Sequence, residues 1–265
     1  MVSSWAIYDA LILEAEQKLA LHPDFSVRVS NLVMGLNWTV VELDFSGAKS
    51  LGLCFSPPKP GRTLPWSGTL VGREAAGLVH WIKHWEPASA VVGCAVINAV
   101  INHNCELLSC AEPVHADGPP NINVFDHFRP RLKGANVAVV GNYPNLQPFA
   151  ECGSWVTLER NPAEGDLPDP ACAYILPESD WVFITASSLS NKTLPMLLQH
   201  AQSATVVLLG PSLPWSNHWA SSGIDYLAGV EITDPDLCFR VAGEAGGTRL
   251  FDVGCTYKVH TLHTK

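Results

Sequence analysis

The sequence predicts an α/β protein in two parts, an α+β unit followed by a doubly wound parallel sheet. After Gly134, four apolar runs succeed one another at residues 136–141, 155–159, 181–186 and 205–210, each closed by small or polar residues. Uninterrupted apolar runs suit strands buried on both faces, and a spacing of about twenty residues leaves room for one crossover helix between neighbours. Before Gly134 the rhythm is different: one amphipathic helix, three short strands and two more helices.

In chain order, Trp5, Tyr8, Ile12, Ala15 and Leu19 recur every three or four residues, so the chain opens with a helix that turns Asp9, Glu16 and Gln17 to water. Residues 26–36, 38–45 and 51–55 read as an antiparallel meander with Ser46-Gly47-Ala48-Lys49 as a turn. A Pro/Gly-rich loop from 57 to 68 is longer than a hairpin needs, and loops of that length are often functional. Val71, Ala75, Leu78, Ile82 and Trp85 then form the apolar stripe of a helix, with His80 and His84 on another stripe. The next helix starts at Glu86-Pro87, where a proline costs nothing, and from 88 to 100 it is apolar nearly all round. It should be the buried axis of the first unit. Asn98 interrupts it. An unpaired buried amide costs about 1–3 kcal/mol, so Asn98 is expected either to lock a neighbouring loop or to touch a ligand.

Residues 106–131 read as a Pro/Asn/Asp-rich connector. We therefore expect a first domain over 1–115, a linker over 116–133 and a second domain over 134–265. Further strands are expected at 229–233 and 249–253, and His260 and His263 fall in what reads as a frayed tail.

Composition narrows the function. The net charge is −9, with 16 Lys+Arg and no basic run, which argues against nucleic acid as a partner. The eight cysteines lack any C-x-x-C pairing and read as reduced thiols. Residues 1–20 lack the basic start of a secretory signal, and the longest apolar run is too short for a bilayer. A soluble, cytoplasmic protein is expected, without a membrane partner; a homo-oligomer is compatible with the sequence.

In open parallel sheets ligands sit where the strands end, and the candidate residues gather there. Gly141-Asn142-Tyr143-Pro144 forms the first turn, where one glycine lets backbone approach a ligand and a following helix could face an anion; Gly210-Pro211-Ser212 should form another wall. The dinucleotide fingerprint needs three spaced glycines and this turn has one, so NAD is disfavoured. Glu159 ends the second strand, where a carboxylate could grip ribose hydroxyls or merely be solvated. Thr185, Ser187, Asn191, Lys192 and Thr193 concentrate hydroxyl, amide and ammonium groups before a helix, which suits a phosphate or carboxylate. Glu164 and Asp166, in the acidic loop after the second strand, are candidate general acid/base groups, with Lys192 as a third candidate catalytic residue. His80 with His84, and His103, Cys105, Cys110 and His115, contain ligand types for a transition metal but lack regular spacing. No metal-binding residue is assigned from them.

Several ordered segments together resemble the putative heavy-metal chelation family. They are Val139-Val140-Gly141-Asn142-Tyr143-Pro144, Glu164-Gly165-Asp166, Tyr174-Ile175-Leu176-Pro177-Glu178-Ser179-Asp180 with Ile184-Thr185, Asn191-Lys192-Thr193-Leu194-Pro195 and Leu209-Gly210-Pro211-Ser212. In the first half, Trp85-Glu86-Pro87-Ala88-Ser89 and Ile97-Asn98-Ala99 are similar to the same family. The resemblance implies an N-terminal domain like that of enolase, joined to a Rossmann-like domain, with a ligand cleft between them. It carries over Asn98, Gly141, Thr185, Asn191, Thr193 and Gly210 as site positions, and it implies no reaction and no cofactor. The expectation is an enzyme acting on an anionic or heteroaromatic small molecule, by a transferase-like, condensing or hydrolytic step, in the making or handling of a metal chelator. The alternatives are a non-catalytic protein that binds a transition metal or metal chelate, and an NAD-dependent oxidoreductase.

Overall fold

The computed structural model describes residues 5–58, 60–115 and 118–263. Helix α1 (Ala6–Ala20) buries Tyr8, Leu11, Ile12 and Ala15, the stripe anticipated from spacing. Strands β1 (Arg28–Met34), β2 (Trp38–Phe45) and β3 (Ala48–Phe55) form the antiparallel meander, β2 central. Helix α2 (Ala75–Leu78) is short and tightens into a single 3-10 stretch over Val79–Lys83, after which His84 is extended. His80 and His84 therefore do not share a helical stripe. His80 faces Glu16 and His84 stacks on Trp81. The chain turns here into α3 (Pro87–Asn102), with His84 extended and Glu86, the residue before the proline, extended as well. Trp85, expected inside, is 77% exposed.

Helix α3 is buried from Ala88 to Ile101. Its N-terminus is closed by Glu86, whose carboxylate accepts the Ala88 and Ser89 N–H groups at 3.1 and 2.7 Å. Strand β3 lies directly on it, since a Cβ at Gly52 would fall 1.9 Å from the Ala95 carbonyl oxygen. There follow α4 (Glu106–Cys110), β4 (Glu112–Pro113) and α5 (Asn123–Phe128). Within the expected linker, α5 is thus a core element: Val124, Phe125 and Phe128 are buried and pack on Phe183.

The second half supplies β5 (Asn136–Val140), β6 (Ser154–Glu159), β7 (Leu167–Pro168), α6 (Cys172–Ile175), β8 (Trp181–Thr185), α7 (Leu194–His200), β9 (Thr205–Leu209), β10 (Tyr226–Ile232), α8 (Pro235–Gly243), α9 (Arg249–Val253) and β11 (Cys255–Thr261). The eight-stranded sheet runs β4-β11-β10-β9-β8-β5-β6-β7. From β10 to β7 every pairing is parallel, and counting strands from β5 the order is 6-5-4-1-2-3, the Rossmann order, with the strand order reversing between β5 and β8. Strand β11 is antiparallel on β10, and β4 from the first half adds to it.

Three expectations change. Residues 249–253 are a helix, packed through Leu250 and Phe251. The strand comes after it, where Cys255, Tyr257 and Val259 alternate inward, so His260 lies in a strand and His263 reaches the Ala220 carbonyl at 2.8 Å. Residues 141–153 hold no helix, so the sheet is not covered there by a crossover of its own. Instead α5 packs in one buried cluster with Val137, Val139 and Phe183 on one face, while α3 shares the other cluster with Ala138, Val140, Val182 and Ile184. Helices from the first half do the covering.

Candidate functional site

Because the parallel strands are in register, their carboxyl ends form one row. Val140 pairs with Leu158 and with Ile184, and Thr185 pairs with Leu209, so Glu159, Gly141, Thr185 and Gly210 end neighbouring strands. A cleft of about 630 Å³ opens over this row. The strand tips, the 187–193 loop and Gly210, Pro211 and Ser212 form its base; Phe55, Ser56, Trp85 and Pro87 from the first half face them. Asn142, Tyr143, Pro144, Glu159, Thr185, Ser187, Asn191, Lys192, Thr193, Gly210 and Pro211 all line it together with Gly141.

The remaining three sequence candidates lie outside its lining. Asn98 is 1% exposed, and its amide donates to the Leu53 and Pro211 carbonyls at 2.8 and 3.0 Å while accepting from Asn102 at 2.6 Å. Of the two roles expected for it, the structure selects the lock: the amide pins the cleft loop from behind. Glu164 is exposed, and Asp166 folds back to accept the Ala163 N–H at 3.0 Å. The acidic loop turns on itself, and Asp169 is the carboxylate that reaches the cleft, paired with Arg160 at 3.1 Å.

The 187–193 loop is held by its own polar groups. Thr185 and Ser187 hydroxyls meet at 3.0 Å, Ser190 donates to the Ser187 carbonyl, and the Asn191 side-chain Oδ1 accepts both N–H and O–H of Thr193 at 3.0 and 2.7 Å. This fixed geometry forces Lys192 into the left-handed region at φ 67°, an uncommon position for a long side chain. Lys192 donates to the Ser190 carbonyl at 2.9 Å and forms no ion pair among the described residues. Burial lowers its pKa to about 8, against a smaller upward pull from Cys94, Cys54 and Glu86. The ammonium is thus still the major form at neutral pH but is within reach of proton transfer.

Among the described residues two buried hydroxyls have no hydrogen-bond partner, Ser188 Oγ and Tyr143 OH, and both residues line the cleft. Tyr143 sits edge-on to Phe125 with its hydroxyl beside Thr185 but without a well-formed bond; burial pushes its pKa up, and the Glu159 carboxylate adds to this. Orphaned buried hydroxyls are rare in folded proteins.

The opposite wall is aromatic and was not legible as a site. Trp38 donates its indole N–H to the Gly247 carbonyl at 2.9 Å and meets Phe55 and Phe251 edge-on, while Phe251 stacks on Tyr257 at 5.1 Å. Phe55 and Trp85 are 46% and 77% exposed at the mouth. Beneath the floor, Cys54 and Cys94 are buried beside Ser190 and Ser212. Burial opposes ionisation of Cys54, but Cys94, Ser190, Ser212 and Lys192 outweigh it and lower its pKa, while Cys94 is pushed up by Cys54 and by burial.

The His103–His115 stretch does not gather. His103 stacks on Phe45 at 3.9 Å, Cys105 donates to the Trp215 carbonyl, and Cys110 is exposed. Among the described residues no three His, Cys, Asp or Glu side chains come together as metal ligands, and no helix is long and apolar enough to cross a membrane.

Known proteins are similar to this chain in sequence and in structure. An uncharacterized protein of Methanocaldococcus jannaschii is 25% identical over 252 residues, 91% of this chain and 92% of its own. A crystal structure of a protein of unknown function from Desulfitobacterium hafniense DCB-2 is 28% identical and superposes with a TM-score of 0.78 over 97% of this chain and 98% of that one. A second, from Pyrococcus horikoshii, is 20% identical with a TM-score of 0.74 over 95% and 99%, and shows the same fold. Residues 23–101 match one family model and residues 123–261 another, both described as putative heavy-metal chelation. With more than half its length matched by the second model alone, the chain belongs to the putative heavy-metal chelation family.

Proposed function

We propose that the protein is an enzyme whose cleft takes a small, planar, anionic molecule of the metal-chelating type. The observation that carries this reading is the pairing, across one cleft, of a half-buried ammonium without an ion-pair partner among the described residues and an aromatic wall. Lys192, with the hydroxyls of Ser187 and Thr193, would hold the anionic group. Phe55 and Trp85 offer faces for a ring, and stacking adds about 0.5–1.5 kcal/mol beyond area burial. With a pKa of about 8, Lys192 can also carry a proton to or from the bound molecule. Arg160 and Asp169 neutralise each other at the rim, so the pull on an anion comes from Lys192 at its end of the row, while the Glu159 carboxylate repels one at the other end.

The family description favours a second reading, in which the cleft binds a metal chelate and does no chemistry. Metal would then arrive within the ligand, since the described side chains offer no three-ligand group. Titration calorimetry with pyridine-2,6-dicarboxylate, a planar heteroaromatic chelating anion, tests the shared part. Binding weakened roughly tenfold or more by Lys192→Met supports the cleft assignment; no binding, or equal binding by the variant, refutes it. Recovery of metal chelates unchanged after long incubation, with tight retention, would favour the second reading.

A further inference from the structure

We infer that the cleft contains a ribose subsite built on Glu159, so that its ligand carries a ribonucleoside; this deepens the small-molecule reading above and rests on it. Strand spacing places Glu159 one strand from Gly141 and two from Thr185, so it stands about 10 Å across the row from the 187–193 loop. It is a separate place within the same cleft.

The carboxylate is positioned rather than solvated at random. Its Oε1 accepts the backbone N–H groups of Arg160 and Asn161 at 2.8 and 3.3 Å. The Arg160 guanidinium is turned to Asp169, and Glu159 Oε2 receives no hydrogen bond among the described residues. A fixed carboxylate with an open oxygen suits a vicinal diol, whose two hydroxyls can donate to it. Beside it lies the Tyr143 hydroxyl, buried against Thr185 and without a well-formed hydrogen bond among the described residues. Between them is bare backbone at Gly141, φ 113°, where a Cβ would come within 3.0 Å of the Thr185 methyl group.

The same surroundings exclude a dinucleotide grip. Pro144 lacks an N–H, and no helix follows within 141–153, so nothing here presents the ring of backbone donors that a pyrophosphate needs. The site fits a nucleoside whose extension runs along the row toward Lys192.

The experiment is calorimetry with adenosine, guanosine, cytidine and uridine, each beside its 2′-deoxy counterpart, on the full chain and on Glu159→Gln. Glutamine keeps the main-chain contacts through Oε1 and replaces the open acceptor by a donor. We expect at least one ribonucleoside to bind roughly tenfold or more tighter than its deoxy form, and the variant, with unchanged melting temperature, to lose that preference. No binding by any ribonucleoside, equal binding of ribo and deoxy forms, or a preference retained by Glu159→Gln overturns the inference. Pyridine-2,6-dicarboxylate run alongside separates the failures, because its binding depends on Lys192 and not on Glu159.

Discussion

Asn98 ties the buried axis to the cleft through the Pro211 carbonyl, and truncating it should cost both stability and binding. Asn98→Ala leaves the Leu53 and Pro211 carbonyls without their donor and the Asn102 amide without its acceptor. Stranded buried polar groups cost about 1–3 kcal/mol each. The two carbonyls belong at about 1–1.5 kcal/mol apiece, since each retains a second lone pair, and the half-buried Asn102 at rather less, giving a total of about 3–4 kcal/mol. Asn98→Asp is the sharper test. It keeps the volume but sets an acceptor against two carbonyls, so at neutral pH it should be worse than alanine. Urea unfolding measures both as a shift in midpoint at constant slope. A loss under about 1 kcal/mol for alanine, or an aspartate variant as stable as wild type, would refute the lock. Because Pro211 lines the cleft, the alanine variant should also bind pyridine-2,6-dicarboxylate more weakly.

Three further outcomes follow from the geometry. Gly52→Ala should prevent stable folding, because its Cβ would lie 1.9 Å from the Ala95 oxygen and 2.4 Å from the Ala99 nitrogen, contacts that backbone cannot relieve; a soluble variant with native melting behaviour would contradict the β3–α3 packing. The dicarboxylate probe should bind with constant affinity below pH 8 and lose about tenfold per pH unit above it, as the Lys192 ammonium of the free protein deprotonates; a flat profile to pH 9.5 would remove Lys192 from anion binding. Trp85→Ala should leave the melting temperature within about 2 °C, since the ring is mostly exposed, yet weaken planar ligands. Equal affinity for the probe would take Trp85 out of the site.

What could be read from the sequence is what depends on local pattern. The strand runs from 136 to 210 reappear because continuous apolar segments have few other uses, and α3 was visible for the same reason. The strand tips followed from the strands, which is why most candidate residues lie in the cleft. Misreadings cluster where tertiary contacts decide. Residues 249–253 alternate enough to pass for a strand, yet Leu250 and Phe251 together form the inner face of a single helical turn. Trp85 fits a helical stripe in spacing, but the helix ends before it. The aromatic wall joins Trp38, Phe55, Phe251 and Tyr257 from distant segments, and nothing local in the chain pairs them. Glu164 and Asp166 qualify by type and by proximity to a strand end, but the loop direction, set by the Asp166 contact to Ala163, turns them away.

The borrowed helices explain why polar residues cluster behind the cleft. A parallel sheet needs cover on both faces, and here α3 serves the meander and the large sheet at once, so almost every position on it must be apolar. Any polar group it does carry has to be fully paired, and for its C-terminal half several partners lie in the loop that follows β9. Asn98 takes the Pro211 carbonyl, Asn102 accepts the Trp215 N–H at 2.9 Å, and Cys94 donates to the Ser212 carbonyl. Ser212 in turn accepts the Phe55 N–H at 2.9 Å, joining the end of β3 to the same loop. The cleft base is therefore fastened through the molecule's most buried helix. Opening the base would strand several of these groups at about 1–3 kcal/mol each, so the strand tips and the facing aromatic wall stand ready before any ligand arrives.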